Sequence, residues 1–110
     1  KLVDVNESGY ARNLTDGIIR ARYRDSRSSS SFVAPGNVVE YTIDLWSTSN
    51  VFLKGHCIRL EISSSNFPRF DRNLNTGGEI GKEENFESAL QTVHHSREYP
   101  SHVTLPLVPR

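Results

Sequence analysis

Apolar residues recur at every second position along much of the chain, the spacing of strands with one covered face. Residues 2–5 read Leu-Val-Asp-Val, a short run that can be a strand, followed by the turn cluster Asn6-Glu7-Ser8-Gly9. From Ile18 the alternation puts Ile19, Ala21 and Tyr23 on one face and Arg20, Arg22 and Arg24 on the other. Pro35-Gly36-Asn37 is a turn signal, and 38–46 follows with the clearest alternation in the chain. There Val39, Tyr41, Ile43 and Leu45 oppose Glu40, Thr42, Asp44 and Trp46. Lys54-Gly55 predicts another turn, and beyond it Ile58, Leu60 and Ile62 form an inward face against Cys57, Arg59, Glu61 and Ser63. Residues 66–88 predict a long loop, 89–96 a strand with neither face wholly apolar, and 103–107 a last strand flanked by Pro106 and Pro109. Six candidate strands and no amphipathic helix predict an all-β antiparallel sandwich, two strands short of a jelly roll.

At 110 residues the chain is expected to be one domain, 1–110. Its hydrophobic fraction of 35% predicts a thin core, and with no Met and a start at Lys1 the chain reads as a processed product or a piece of something longer. Thirteen basic and thirteen acidic residues cancel, which leaves no charge pattern for nucleic acid or an anionic membrane. No apolar run reaches the roughly 18 residues of a membrane-spanning helix. A single cysteine, Cys57, makes an internal disulfide impossible and fits a reducing compartment.

The chemistry-bearing residues assemble no evident active site. Gly-x-Ser-x-Gly is absent. The adjacent pair His94-His95 points to opposite strand faces, a poor geometry for one metal, and His56-Cys57 fails in the same way. The run from Asp71 places Thr76 and Lys82 where a calcium loop needs Gly and Glu. No metal and no cofactor are therefore expected. The three arginines of 20–24 read as a solvent or docking face.

The unusual stretch is Phe67, Pro68, Arg69, Phe70, Asp71, Arg72 and Asn73. Two rings flanking Pro can anchor a loop on an apolar surface, and two Arg around one Asp can form a planar ion-pair network. Both a docking surface for another domain or a ligand and a self-packed loop closing the sandwich fit this composition.

Four segments together carry a family resemblance: 16–24 (Asp-Gly-Ile-Ile-Arg-Ala-Arg-Tyr-Arg), 41–49 (Tyr-Thr-Ile-Asp-Leu-Trp-Ser-Thr-Ser), 55–65, and 66–77 (Asn-Phe-Pro-Arg-Phe-Asp-Arg-Asn-Leu-Asn-Thr-Gly). In order and content they resemble the C-terminal domain of the X-Pro dipeptidyl-peptidase and cocaine esterase-like serine hydrolases, from Lys1 to Pro109. Where that family usually has Arg after Gly-His, this chain has Cys57. The resemblance implies a jelly-roll, galactose-binding-like sandwich lacking its first strands. It implies a non-catalytic accessory domain, in a bacterial and cytoplasmic setting, that packs on an α/β-hydrolase catalytic domain carrying the serine triad and shapes its cleft. Phe67, Pro68 and Phe70 would then be apolar anchors, with Arg69, Asp71 and Arg72 fixing the interface loop, which runs on to Asn73. Two further expectations stay beside it: a free-standing carbohydrate- or ligand-binding module using Trp46, Tyr99 or Phe67/Phe70, and self-association through an exposed sheet edge.

Overall fold

The computed structural model describes residues 1–109. It is nearly devoid of helix: the strands are β1 (Leu2–Val5), β2 (Ala11–Thr15) and β3 (Cys57–Leu60), with one 3₁₀ turn at Ala21–Tyr23 between β2 and β3. The strands form an antiparallel three-stranded sheet in the order β2-β1-β3, which bears out the all-β expectation. The chain divides into two compact units, Lys1–Ser63 and Ser64–Arg110.

In the first unit β1 is central and buried throughout; Leu2, Val3 and Val5 make up its apolar core. The hairpin to β2 is set by Asn6, whose side-chain oxygen accepts from the Ser8 and Tyr10 amides and the Ser8 hydroxyl. Gly9 completes the turn at φ 85°, a conformation glycine adopts without steric cost. Across the sheet Asp4 lies opposite Arg12 and Ile58, and Leu2 opposite Leu60, so these side chains share one face. The turns expected at 35–37 and 54–55 are present: Asn37 N–H donates to Ala34 O at 3.1 Å and His56 N–H to Leu53 O at 3.1 Å. Gly36 and Gly55 supply the positive φ of each turn.

Several strand expectations fail, and β2 arises where no strand was expected. Within 18–24 only Ala21–Tyr23 wind, into the 3₁₀ turn, and Arg24 reaches back to it, donating to Ala21 O at 3.0 Å and to Ser31 O at 2.7 Å. Its arginines do not form a strand face: Arg22 lies over the Phe32 ring at 5.1 Å and Arg24 pairs with Asp25 at 3.2 Å.

Residues 38–46 run without a ladder. They are tied instead to 15–17: the Thr15 hydroxyl donates to Leu45 O, and Gly17 sits against the Asp44 carbonyl so closely that a Cβ there would lie 2.1 Å from its oxygen. Trp46 ends the segment at φ 62°, its N–H donating to Asp44 Oδ1 at 2.7 Å, which turns the chain out of extended geometry. The expected inward residues of β3 are uncovered: Ile58 is 54%, Leu60 41% and Ile62 57% exposed. Their alternation is real, but no second layer of the described residues covers them.

In the second unit neither 89–96 nor 103–107 is a strand; the isolated bridge His95–Pro100 is the sole pairing among the described residues. With polar residues on both faces, 89–96 has no side whose burial would hold a ladder. No helix of the described residues is long and apolar enough to cross a membrane.

Candidate functional site

The stretch 67–73 lies in the second unit, at the start of the expected long loop, which indeed forms neither helix nor strand. The loop is pinned across its neck. Glu87 N–H donates to Leu74 O at 2.9 Å, and Asn75 Nδ2 donates to Glu87 O at 2.9 Å. Asn73 and Asn75 interlock through Asn73 Nδ2 to Asn75 Oδ1 at 2.9 Å and the Asn75 amide to Asn73 Oδ1 at 3.3 Å. Asn75 takes φ 61°, which its short side chain tolerates better than most. Further along, Glu83 accepts from the Thr76 hydroxyl and from the Gly78 amide.

On this base the aromatic and cationic residues pair off. The Arg72 guanidinium stands 4.7 Å from the centre of the Phe67 ring, and that of Arg69 5.5 Å from the centre of the Phe70 ring. Both lie within the roughly 6 Å over which a ring face attracts a cation. The Phe67–Pro68 peptide is cis, and the Phe70 amide donates to Asn66 O at 3.1 Å. Phe67 is 60% exposed, Phe70 half-buried, and Pro68, Arg69, Asp71, Arg72 and Asn73 exposed. Six of the seven expected residues are thus brought together as two stacked pairs, the cis Pro68 between them, and an Asn73 clasp. The exposed residues of the stretch are two apolar ones, Phe67 and Pro68, the cations Arg69 and Arg72, the anion Asp71, and Asn73.

A second constellation in the first unit escaped sequence reasoning. Asp4, 5% exposed, receives His56 Nδ1 at 2.8 Å on Oδ1. On Oδ2 it receives Asn50 Nδ2 at 3.4 Å, with Arg12 at 3.6 Å. Arg12 also donates to Asn50 Oδ1, closing a three-residue ring of Asp4, Asn50 and Arg12 to which His56 is joined through Asp4. Burial pushes the Asp4 carboxyl up, but the hydrogen bonds from His56 and Asn50 and the charges of His56 and Arg12 outweigh it and hold the carboxyl below its ordinary range. The available signal was a lone carboxylate inside the apolar run of β1, which requires partners. These contacts tie β1 and β2 to Asn50 and to His56 just before β3. They are a structural clasp, and among the described residues no three metal-ligating groups gather anywhere. Cys57, at the position where the resembled family has Arg, is free and exposed on β3.

Residues 1–104 match the family described as the X-Pro dipeptidyl-peptidase C-terminal non-catalytic domain. Cocaine esterase of Rhodococcus sp. (strain MB1 Bresler) is 47% identical over 112 residues, an overlap that takes in 100% of this chain and 20% of that protein. The chain thus spans about a fifth of the length of the relative it matches. With a matched region running through β1, β2, β3 and the 67–73 loop, the chain belongs to the X-Pro dipeptidyl-peptidase C-terminal non-catalytic domain family.

Proposed function

We propose that residues 1–110 form a single accessory domain of an α/β-hydrolase-type serine acyl hydrolase, with a jelly-roll, galactose-binding-like sandwich as its architecture. The domain packs on the catalytic domain of its parent and shapes the active-site cleft. The parent's serine attacks an ester or an X-Pro peptide carbonyl and passes through an acyl-enzyme. This chain supplies no catalytic group and requires no cofactor. Its 67–73 loop makes the contact.

The observation that carries the reading is the pair of stacked rings. Phe67 is 60% exposed yet held under Arg72 at 4.7 Å, on a loop closed at its neck by Leu74, Asn75 and Glu87. An exposed aromatic on a pinned loop loses little conformational entropy when it docks, and aromatics and arginines dominate the energetics of protein interfaces. The match to the X-Pro dipeptidyl-peptidase C-terminal non-catalytic domain family supports a hydrolase catalytic domain as the partner.

The test is capture of this chain by a separately expressed α/β-hydrolase domain of the parent. A stable complex is expected, weakened roughly 10- to 100-fold by Phe67→Ala, a loss of about 1–3 kcal/mol. No complex, or one indifferent to Phe67→Ala and Phe70→Ala together, would remove the loop from the interface. Binding of a glycan by the isolated chain, lost on Trp46→Ala, would favour a free-standing module instead; Trp46 is 79% exposed.

A further inference from the structure

The turn spanning residues 94–102 carries three histidines, and we propose that two of them, His95 and His102, chelate one transition-metal ion, Cu²⁺ more tightly than Ni²⁺ or Zn²⁺. His95 and Pro100 form an isolated antiparallel bridge in the second unit. Pro100 has no N–H, so the two residues cannot exchange main-chain hydrogen bonds. Theirs is the closer kind of antiparallel pair, with Cα atoms about 4.5 Å apart. The turn that joins them is held from inside. The Tyr99 N–H donates to Ser96 Oγ at 3.1 Å, the Ser101 N–H donates to Tyr99 O at 3.1 Å, and the Tyr99 ring lies 5.3 Å from that of His94. His102 follows Pro100 by two residues, so the Cα atoms of those two are at most about 7 Å apart. Adjacent positions set His94 and His95 on opposite faces, whereas the bridge brings His102 within reach of His95 across the turn.

His102 is already set as a ligand. Its Nδ1 lies 2.8 Å from Pro100 O. A carbonyl oxygen only accepts, so Nδ1 carries the hydrogen and Nε2 keeps its lone pair. A metal-ligating histidine usually donates its other ring N–H in this way, which orients the ring and raises the basicity of the ligating nitrogen. His95 and His102 are both exposed, so the His95 ring can turn toward the same ion and the ion reaches both from solvent. Two imidazole nitrogens at about 2.0–2.1 Å from one ion close the turn as a chelate. Among the described residues no three metal-ligating groups gather, so water fills the remaining positions. Imidazole and water suit Cu²⁺, Ni²⁺ and Zn²⁺, with Cu²⁺ bound most tightly; Ca²⁺ and Mg²⁺ want oxygen ligands instead. His94 is half-buried, packed on Tyr99, and stands outside the pair. The site does not depend on the accessory role and adds no catalytic step.

The experiment is calorimetric titration of the 110-residue chain with CuCl₂ in a non-coordinating buffer, with electron paramagnetic resonance of the bound Cu²⁺. The expected result is a tightest class of a single Cu²⁺ per chain, carrying the hyperfine pattern of two imidazole nitrogens. His95→Ala and His102→Ala are each expected to weaken that class about tenfold or more. His94→Phe, which keeps a ring against Tyr99, is expected to leave it unchanged. Ni²⁺ and Zn²⁺ are expected to compete for the same residues more weakly than Cu²⁺ binds. Circular dichroism confirms that each variant keeps the fold of the native chain. A native chain that binds Cu²⁺ no more tightly than the double variant His95→Ala/His102→Ala, a hyperfine pattern of one nitrogen, or a loss on His94→Phe equal to that on His95→Ala would overturn the site.

Discussion

Replacing Gly17 with alanine separates two opposed effects at one atom. Gly17 does not occupy the left-handed region, so alanine can adopt its backbone. By unfolded-state entropy alone, the substitution should stabilise the chain by about 0.4–1 kcal/mol. The structure forbids that gain. A Cβ at position 17 would lie 2.1 Å from Asp44 O and 2.9 Å from Ile43 Cγ2, and the nearer obstacle is main chain, not the end of a flexible side chain. Forcing a methyl group into filled space costs about 1–3 kcal/mol. Moving the Asp44 carbonyl also drags Leu45, whose carbonyl accepts from the Thr15 hydroxyl; losing that bond costs about 1 kcal/mol more. The net expectation is destabilisation by about 1–3 kcal/mol. Urea titration followed by tryptophan fluorescence measures it, since Trp46 lies two residues from the contact. The midpoint should fall with an unchanged slope. Equal or higher stability of Gly17→Ala would refute the close approach of 15–17 to 43–45, the contact that stands in for a ladder there.

Other expectations follow from the same contacts. Thr15→Val removes the donor to Leu45 O while keeping the side-chain shape, and should cost about 1–2 kcal/mol in the same titration. Because the Asp4 carboxyl sits below its ordinary value of 3.8 in the folded chain, its contribution is present above that value and lost as pH falls through the lower folded value. Denaturation midpoints of the native chain should therefore drop at acid pH more steeply than those of Asp4→Asn. Parallel curves would remove Asp4 as a source of the acid loss. Loss of the Arg72 stack by Arg72→Ala should raise proteolytic cleavage within 67–73 while leaving the sheet of the first unit intact by circular dichroism.

The parts of the fold legible in the sequence are those set by local chemistry. β1 and β3 announce themselves by alternation, and the turns at 7–9, 35–37 and 54–55 by Asn, Gly and Pro-Gly. β2 was illegible because Ala11-Arg12-Asn13-Leu14-Thr15 has no apolar face; its place comes from pairing with β1. The opposite error fell on 38–46, whose alternation is clean but whose backbone is held by Thr15 and Gly17, residues that no pattern within the segment reveals. Likewise the period-two pattern of 18–24 does not show the 3₁₀ turn to which Arg24 reaches back. The aromatic and cationic composition of 67–73 could be read directly, but not which ring each guanidinium covers. The Asp4–His56 contact joins residues 52 positions apart, and only the odd carboxylate in β1 hinted at it.

The central claim is that this chain contributes contact and shape, not catalysis, to a serine hydrolase. The most direct measurement is hydrolysis of a chromogenic short-chain ester by the 110-residue chain beside the full-length protein that carries it. No turnover by the chain, with turnover by the full-length protein that a serine-directed inhibitor abolishes, is the predicted result. Inhibitor-sensitive turnover by the chain alone would contradict it and would place a nucleophilic serine within residues 1–110.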